Sequence, residues 1–154
     1  GFDFRCLRFP MVLSPFAPLS AKTAYPSHAC RAAVLGEPFN FPVSKETGMS
    51  CMFLDDVIRS IFEISHAPQA CLKSNAYNLH GFHFTAQQLC ENLKQNFPSF
   101  EYSFEIDPDV EKLVKGWPNK VISNSARLDW NWLPEFDFET SISAMFRLLT
   151  NEAI

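Results

Sequence analysis

Few side chains in this sequence have the type and spacing that a metal site needs. His80 and His83 lie three positions apart, on either side of Gly81, and could act as a ligand pair. A zinc site usually combines C-x2-C or H-x3-H type pairs with further ligands nearby, and no third ligand is close in the sequence. We therefore predict that the chain holds no metal.

The cysteines are widely separated along the chain. There are five, an odd number, and no two of them are close in the sequence: Cys6, Cys30, Cys51, Cys71 and Cys90. This pattern indicates reduced thiols in an intracellular protein and does not suggest a disulfide framework. We expect the cysteines to act as small buried hydrophobic residues.

Composition limits the kinds of partner this chain binds. Its 154 residues, 47% of them hydrophobic and 16 of them Phe, can form a core and indicate some apolar surface that a partner covers. The net charge of −4 is dispersed and no Lys/Arg cluster is present, which argues against nucleic acid as a partner. No run of roughly 18 apolar residues occurs, so we predict no membrane span.

Periodicity and end signals predict a mixture of helices and strands without an internal domain boundary. One helix is predicted over residues 26–35 and is ended by Gly36, and a second begins after a cap at Asp55 or Asp56. A third is predicted over residues 85–96 and opens with a Thr-Ala-Gln-Gln capping box. Two more are predicted, one capped near Asn124 and one from Asp137 onward. Strands are predicted over residues 2–9, 39–43, 50–54, 76–79 and 100–106. A loop is predicted directly after Pro10, and a turn is predicted at Asp107 and Pro108. The sequence opens within the first of these strands, so we expect it to be the downstream part of a larger protein.

Six segments, taken in order, resemble one enzyme family. Residues 1–10, Gly-Phe-Asp-Phe-Arg-Cys-Leu-Arg-Phe-Pro, resemble the G-[LF]-D-[FV]-R-[CS]-L-R-[YF]-P-G segment of the short-chain-type L-threonine 3-dehydrogenases. The other segments are similar to M-Y-[MI]-P-D at residues 52–56, [AT]-Y-N-[VI] at 76–79, S-F-T-P-E-E-L at 84–89, S-W-P at 116–118 and D-S-x-A-R-x-D-W-G-W at 124–132. These enzymes are NAD-dependent extended short-chain dehydrogenases/reductases, close in fold to UDP-galactose epimerases.

The resemblance implies the fold class and the extent of the domain. It implies an α/β chain that forms, over residues 1–154, the C-terminal substrate-binding part of an NAD-binding Rossmann-fold domain, with the N-terminal dinucleotide-binding half missing. The family's glycine-rich turn and its catalytic Tyr-x-x-x-Lys pair precede the position that matches Gly1. The residues four positions after Tyr25, Tyr77 and Tyr102 are Ala29, Gly81 and Ile106, so no such pair is present. We predict no catalytic residue in this chain.

Four residues match binding positions of the family. By this resemblance, Pro10 and Val12 contact NAD, Thr23 holds the carboxylate of L-threonine, and Trp117 packs over the substrate. Without the resemblance, Trp117 would be taken as a core tryptophan. The family's G-G-T-T-D-Y-A loop reads Ala-Lys-Thr-Ala-Tyr-Pro-Ser at residues 21–27, so its glycines and its aspartate are absent.

Two hypotheses follow for function. In the first, the intact protein oxidises L-threonine to 2-amino-3-ketobutyrate with NAD. In the second, the chain is a decayed, non-catalytic homologue that acts as an interaction module. The sequence of residues 2–8 is closer to that of the animal members of the family, which act in mitochondria, so we expect a mitochondrial location. A cytoplasmic location is the alternative, because the reduced-cysteine pattern fits both compartments equally. The family's fold also makes a homodimer possible.

Overall fold

A computed structural model describes residues 3–152 and shows an α/β fold. The strands of this part are β1 (Cys6–Arg8), β2 (Met11–Leu13), β3 (Phe39–Phe41), β4 (Gly48–Phe53), β5 (Ala76–Asn78), β6 (Phe82–Thr85) and β7 (Tyr102–Phe104). Its helices are α1 (Tyr25–Leu35), α2 (Leu54–His66), α3 (Ala86–Asn96), α4 (Pro108–Lys115), α5 (Asn124–Trp130) and α6 (Phe138–Glu152). The predicted mixture of helices and strands is confirmed.

Mostly parallel pairing connects the strands in three small sheets. Strand β1 pairs in parallel with β5, and β3 pairs in parallel with β7. The third sheet has the order β2-β4-β6, in which β2 is parallel and β6 antiparallel to the central strand β4. Every residue of β4 after Gly48 is buried, because helices and neighbouring strands cover both of its faces.

The first predicted strand is the least accurate part of the sequence analysis. Phe2 lies outside the described residues, and Phe4 is 57% exposed, so the strand is shorter than predicted. A loop was predicted directly after Pro10, but strand β2 begins at Met11. Pro10 separates two strands that pair with different partners, because proline has no N–H to donate to a ladder.

Helix ends explain both a success and a miss. Gly36 ends α1 with φ of 70°, and the capping box of Thr85 and Gln88 opens α3, as predicted. The turn predicted at Asp107 and Pro108 is instead the start of α4. The Asp107 carboxylate accepts hydrogen bonds from the backbone N–H groups of Asp109 and Val110 at 3.1 and 3.3 Å.

The helix cap predicted at Asp55 or Asp56 is wrong. Helix α2 begins directly after Phe53, with no side-chain cap. The Asp56 carboxylate is fully buried and accepts hydrogen bonds from the backbone N–H groups of Glu135 and Phe136, both at 3.1 Å. Arg59 donates to the same carboxylate at 2.7 Å. Asp56 therefore fastens α2 to the segment that precedes α6.

Two hydrophobic clusters form the core. The larger cluster lies between α1, α3, α6 and the central strands, and contains Phe41, Phe53 and Phe84. The smaller one contains Met52, Tyr77 and Trp132. The Tyr77 hydroxyl donates to Asp129 at 2.8 Å and so fastens the C-terminal segment to the core.

Three of the cysteines lie buried in the larger of these clusters. All five cysteines are free; Cys30, Cys51 and Cys90 are buried as expected, whereas Cys71 is exposed. Burial raises the pKa of the Cys30 thiol to about 12, so that thiol is unreactive at neutral pH.

None of the helices between residues 3 and 152 combines the length and hydropathy that a membrane span requires.

Candidate functional site

A cleft of about 620 Å³ opens beside the junction of β1 and β2. Its walls come from three regions of the chain: the β1–β2 junction, single residues of β4 and β5, and the segment after α4. The residues that line it are Arg8, Phe9, Pro10, Met11, Ser50, Asn78, Trp117, Pro118, Lys120, Val121 and Ile122. Most of these side chains are apolar, as is typical of a small-molecule site with a few polar groups.

Regular structure positions both sides of the cleft. Pro10 lies between two paired strands, and Asn78 ends β5. On the other side, the Trp117 backbone N–H donates to the carbonyl of Val114 at 3.0 Å, which holds the tryptophan at the end of α4. The buried Ser50 hydroxyl donates to the carbonyl of Asn119 at 2.9 Å and ties the 117–122 segment to β4.

The structure brings two of the four predicted site residues together. Pro10 and Trp117, from opposite parts of the sequence, line the same cleft. Val12 lies next to it in β2, half-buried, and packs against the smaller hydrophobic cluster. Thr23 lies in a short 3-10 helix, Lys22–Ala24, and is not among the lining residues. The roles of all four side chains remain predictions.

Sequence reasoning missed the polar groups of the cleft. Arg8, Ser50, Asn78 and Lys120 all line it, but each comes from a different segment. No spacing rule connects such positions, because strand pairing alone brings them together. The only signal in the sequence was their closeness to the segments that resemble the dehydrogenases.

The cleft is electrostatically one-sided. Its lining includes the cations Arg8 and Lys120 and no carboxylate. The nearby His80 has a lowered pKa, chiefly because burial disfavours its charged form and further because His83 and Lys120 repel a proton. The His80 Nδ1 atom is buried and has no hydrogen-bond partner within residues 3–152. The contribution of Lys120 to this shift means that Lys120 is close enough to His80 to disfavour its protonation.

None of the tyrosines in this chain is prepared to act as a base at neutral pH. Burial is the main cause that raises the pKa of Tyr25, which is 1% exposed. Burial and then the hydrogen bond to Asp129 raise the pKa of Tyr77, and burial also raises that of Tyr102. A general base needs a pKa near the working pH, so each of these shifts has the wrong direction.

Potential metal ligands are also dispersed. Between residues 3 and 152, no three His, Cys, Asp or Glu side chains come close enough together to hold a metal ion. Lys22, which precedes Thr23, pairs with Asp107 at 2.8 Å, so this cation is already neutralised.

Comparison with known proteins first defines the class of fold. No family profile matches this chain. The UDP-glucose 4-epimerase of Thermotoga maritima superposes on 96% of the chain with a TM-score of 0.73 at 16% identity, a likeness of fold alone. The chain therefore shares the α/β fold of this epimerase.

More similar proteins identify the part of that fold. A GalE-like L-threonine dehydrogenase from Cupriavidus necator superposes on 92% of the chain with a TM-score of 0.85 at 28% identity, and the match covers 46% of that protein. A mitochondrial L-threonine 3-dehydrogenase of Bos taurus is 28% identical over 154 residues, 41% of its own length. The chain thus spans less than half of these two proteins and resembles the C-terminal half of L-threonine dehydrogenases, as the sequence segments predicted.

Proposed function

We propose that this chain is the substrate-binding part of an NAD-dependent L-threonine 3-dehydrogenase. The observation that carries the proposal is the meeting of Pro10 and Trp117 in one cleft. The resemblance to the dehydrogenase family assigns both residues to the active site. The relatives from Bos taurus and Cupriavidus necator support the assignment because both are L-threonine dehydrogenases.

The reaction removes a hydride from C3 of L-threonine and a proton from its hydroxyl group, giving 2-amino-3-ketobutyrate. NAD, when bound, accepts the hydride. Trp117 and Phe9 supply aromatic surface at the cleft and exclude water from the reacting carbon. The base comes from the other half of the intact protein, since the tyrosines here have raised pKa values.

The cleft fits only one part of the cofactor. Pro10 and Met11 form an apolar surface, and the Asn78 amide adds a polar group at its edge. This combination suits a flat ring with a carboxamide, such as nicotinamide, and Val12 lies one residue further along. No G-x-x-G-x-x-G segment occurs in the sequence, so the pyrophosphate belongs to the other half.

An exposed helix face supports the presence of that other half. Ile58, Ile61 and Phe62 of α2 are 45%, 51% and 63% exposed. They lie at i, i+3 and i+4 and form one apolar face on the side of α2 away from the buried Val57 and Ile64. A surface of this kind is typical of a contact that another domain covers. We assign it to the dinucleotide-binding half.

The experiment joins this chain to the dinucleotide-binding half of the Cupriavidus necator relative. NADH formation is followed with L-threonine and, as a control, with L-2-aminobutyrate, which lacks the hydroxyl group. We expect turnover with L-threonine alone. A folded fusion protein that binds NAD but produces no NADH from L-threonine would refute the proposal.

A decayed, non-catalytic homologue is the second candidate. It is favoured by the substrate loop, in which Thr23 lies outside the cleft lining and the family's glycines are replaced. In that case the fusion protein would fold and stay inactive. Restoring the Gly-Gly-Thr-Thr-Asp-Tyr-Ala sequence at residues 21–27 would then recover activity, and this would identify the loop as the cause.

We also propose a mitochondrial location, with the cytoplasm as the alternative, because the Bos taurus relative is a mitochondrial protein. Fractionation of the native protein with an antibody against this chain tests it, since enrichment in the cytosolic fraction would overturn it. A homodimer stays a prediction, and sedimentation of the fusion protein measures it.

A further inference from the structure

The two cations of the cleft have no partners of their own. Neither the Arg8 guanidinium nor the Lys120 ammonium forms a hydrogen bond or an ion pair with another side chain or carbonyl between residues 3 and 152. Among the other cations of that range, Lys73 pairs with Asp129 and Lys115 pairs with Glu111. Two unpaired cations on one concave surface without a carboxylate attract an anion.

Both cations come from positions that the fold holds in place. Arg8 ends β1, and its carbonyl accepts a hydrogen bond from the Leu79 N–H at 3.0 Å. Lys120 directly follows Asn119, whose carbonyl is bound by the buried Ser50 hydroxyl. The hydroxyl of Ser50 is therefore used to position the segment that carries Lys120. The backbone that carries each cation is therefore held in place by a hydrogen bond.

His80 lies within electrostatic reach of Lys120. Burial lowers the pKa of His80 most, and the charges of His83 and Lys120 lower it further. The buried His80 Nδ1 atom has no hydrogen-bond partner within residues 3–152.

We propose that Arg8 and Lys120 form an anion-binding subsite that selects the carboxylate or phosphate group of the ligand in this cleft. The apolar part of that ligand packs on Trp117 and Pro10. The inference rests on the proposed function in placing a ligand here. The inference goes further because it assigns ligand specificity to Arg8 and Lys120, which carry no catalytic role. The planar guanidinium of Arg8 is well suited to bind a carboxylate or a phosphate with two hydrogen bonds.

Calorimetric titration of the 154-residue chain tests the subsite with three probes. L-threonine carries the carboxylate, L-threoninamide is its matched analogue without that charge, and inorganic pyrophosphate represents the phosphate source. We expect L-threonine or pyrophosphate to bind, and L-threoninamide to bind about tenfold or more weakly than L-threonine if the carboxylate is the ligand group. Binding of pyrophosphate alone identifies the phosphate source instead.

Variants show whether the two cations are responsible. Arg8→Gln and Lys120→Gln should each weaken the anionic probe about tenfold, while Arg147→Gln, on the exposed surface of α6, should leave it unchanged. Lys120→Arg should retain affinity. Circular dichroism must show the native spectrum for each variant, and Lys120→Gln carries the test if Arg8→Gln does not fold, because the Lys120 side chain contacts no partner.

Three results would overturn the subsite: no binding of either anion, equal loss in Arg147→Gln, or unchanged affinity in both cleft variants. These results are separate from the fate of the dehydrogenase. Anion binding without NADH formation in the fusion protein would leave the subsite standing and refute the enzyme. Turnover of L-threonine by the fusion protein that neither Arg8→Gln nor Lys120→Gln affects would support the enzyme and refute the subsite.

Discussion

Replacing Asp56 should destabilise the fold more than replacing any neighbouring carboxylate. The Asp56 side chain is fully buried and accepts two backbone hydrogen bonds at 3.1 Å and one from Arg59 at 2.7 Å. Asp56→Ala leaves these three donors without that acceptor. Removing one partner of a buried charge pair costs about 3–5 kcal/mol, because the remaining groups stay desolvated.

The surroundings place the expected cost at the lower end of that range. Arg59 keeps Glu63 at 2.5 Å and the carbonyl of Leu133 at 2.5 Å, and its side chain is 25% exposed. We therefore expect Asp56→Ala to lower the free energy of unfolding by about 3 kcal/mol. For a chain of this size, that corresponds to a fall in Tm of roughly 6–12 °C.

Urea denaturation followed by circular dichroism measures the effect, with Asp55→Ala as the matched control. Asp55 is the adjacent exposed residue in the first turn of α2, so its removal should cost only about 0.3–1 kcal/mol through the helix dipole. The denaturant slope should remain unchanged for both variants. If the two variants unfold at the same urea concentration, the fastening role assigned to Asp56 is wrong.

Three further perturbations test other parts of the structure. Desolvation would raise the pKa of Glu111, but hydrogen bonds from Lys115, Ser44 and Thr47 outweigh it and lower the pKa to about 2. The stability that Glu111 contributes is therefore present above its unfolded pKa near 4.5 and is lost as the pH falls toward 2; Tm measured over this range should depend less on pH in Glu111→Gln. Gly81→Ala places a Cβ atom 2.8 Å from the backbone oxygen of Cys51 and should cost about 1–3 kcal/mol. At Gly48 the atoms closer than 3.4 Å belong to the end of the exposed His83 side chain, which can shift, so Gly48→Ala should cost much less in the same urea assay. Tyr77→Phe leaves the buried Asp129 without its hydroxyl donor and should cost about 1–3 kcal/mol, which a thermal melt would detect and an unchanged Tm would contradict.

Local signals in the sequence predicted most of the helices. Gly36 and the Thr85–Gln88 box act within one turn of the helix that they end or begin, so their effect is visible without the rest of the chain. Asp107 carried the same kind of signal, since it caps α4 and Pro108 follows it at the first helical position. Its misreading as a turn arose because Asp-Pro favours both structures.

Long-range contacts account for the rest. Asp56 has the sequence context of a helix cap, but distant backbone groups at Glu135 and Phe136 bind its carboxylate. Strand β2 was missed because only pairing with β4 reveals three residues after a proline as a strand. The cleft followed the same rule: resemblance pointed to Pro10 and Trp117, whereas Arg8 and Lys120 became visible only when the fold brought their segments together.

The kinetic effect of Trp117→Ala in the fusion protein tests the central claim most directly. Trp117 lines the cleft and is only half-buried against the larger hydrophobic cluster, so truncation should cost less than the roughly 3–5 kcal/mol typical of a fully buried aromatic residue. Phe146→Ala is the matched control, because Phe146 packs half-buried on the same cluster but lies outside the cleft.

Tm and kcat/KM for L-threonine should be measured on the same preparation of each variant. We predict that Trp117→Ala lowers kcat/KM about 100-fold, because substrate positioning and water exclusion are lost. Phe146→Ala should lower Tm by about as much as Trp117→Ala does, but should leave kcat/KM of the folded protein unchanged. A Trp117→Ala protein whose folded molecules oxidise L-threonine at the wild-type kcat/KM would contradict the assignment of this cleft as the substrate site.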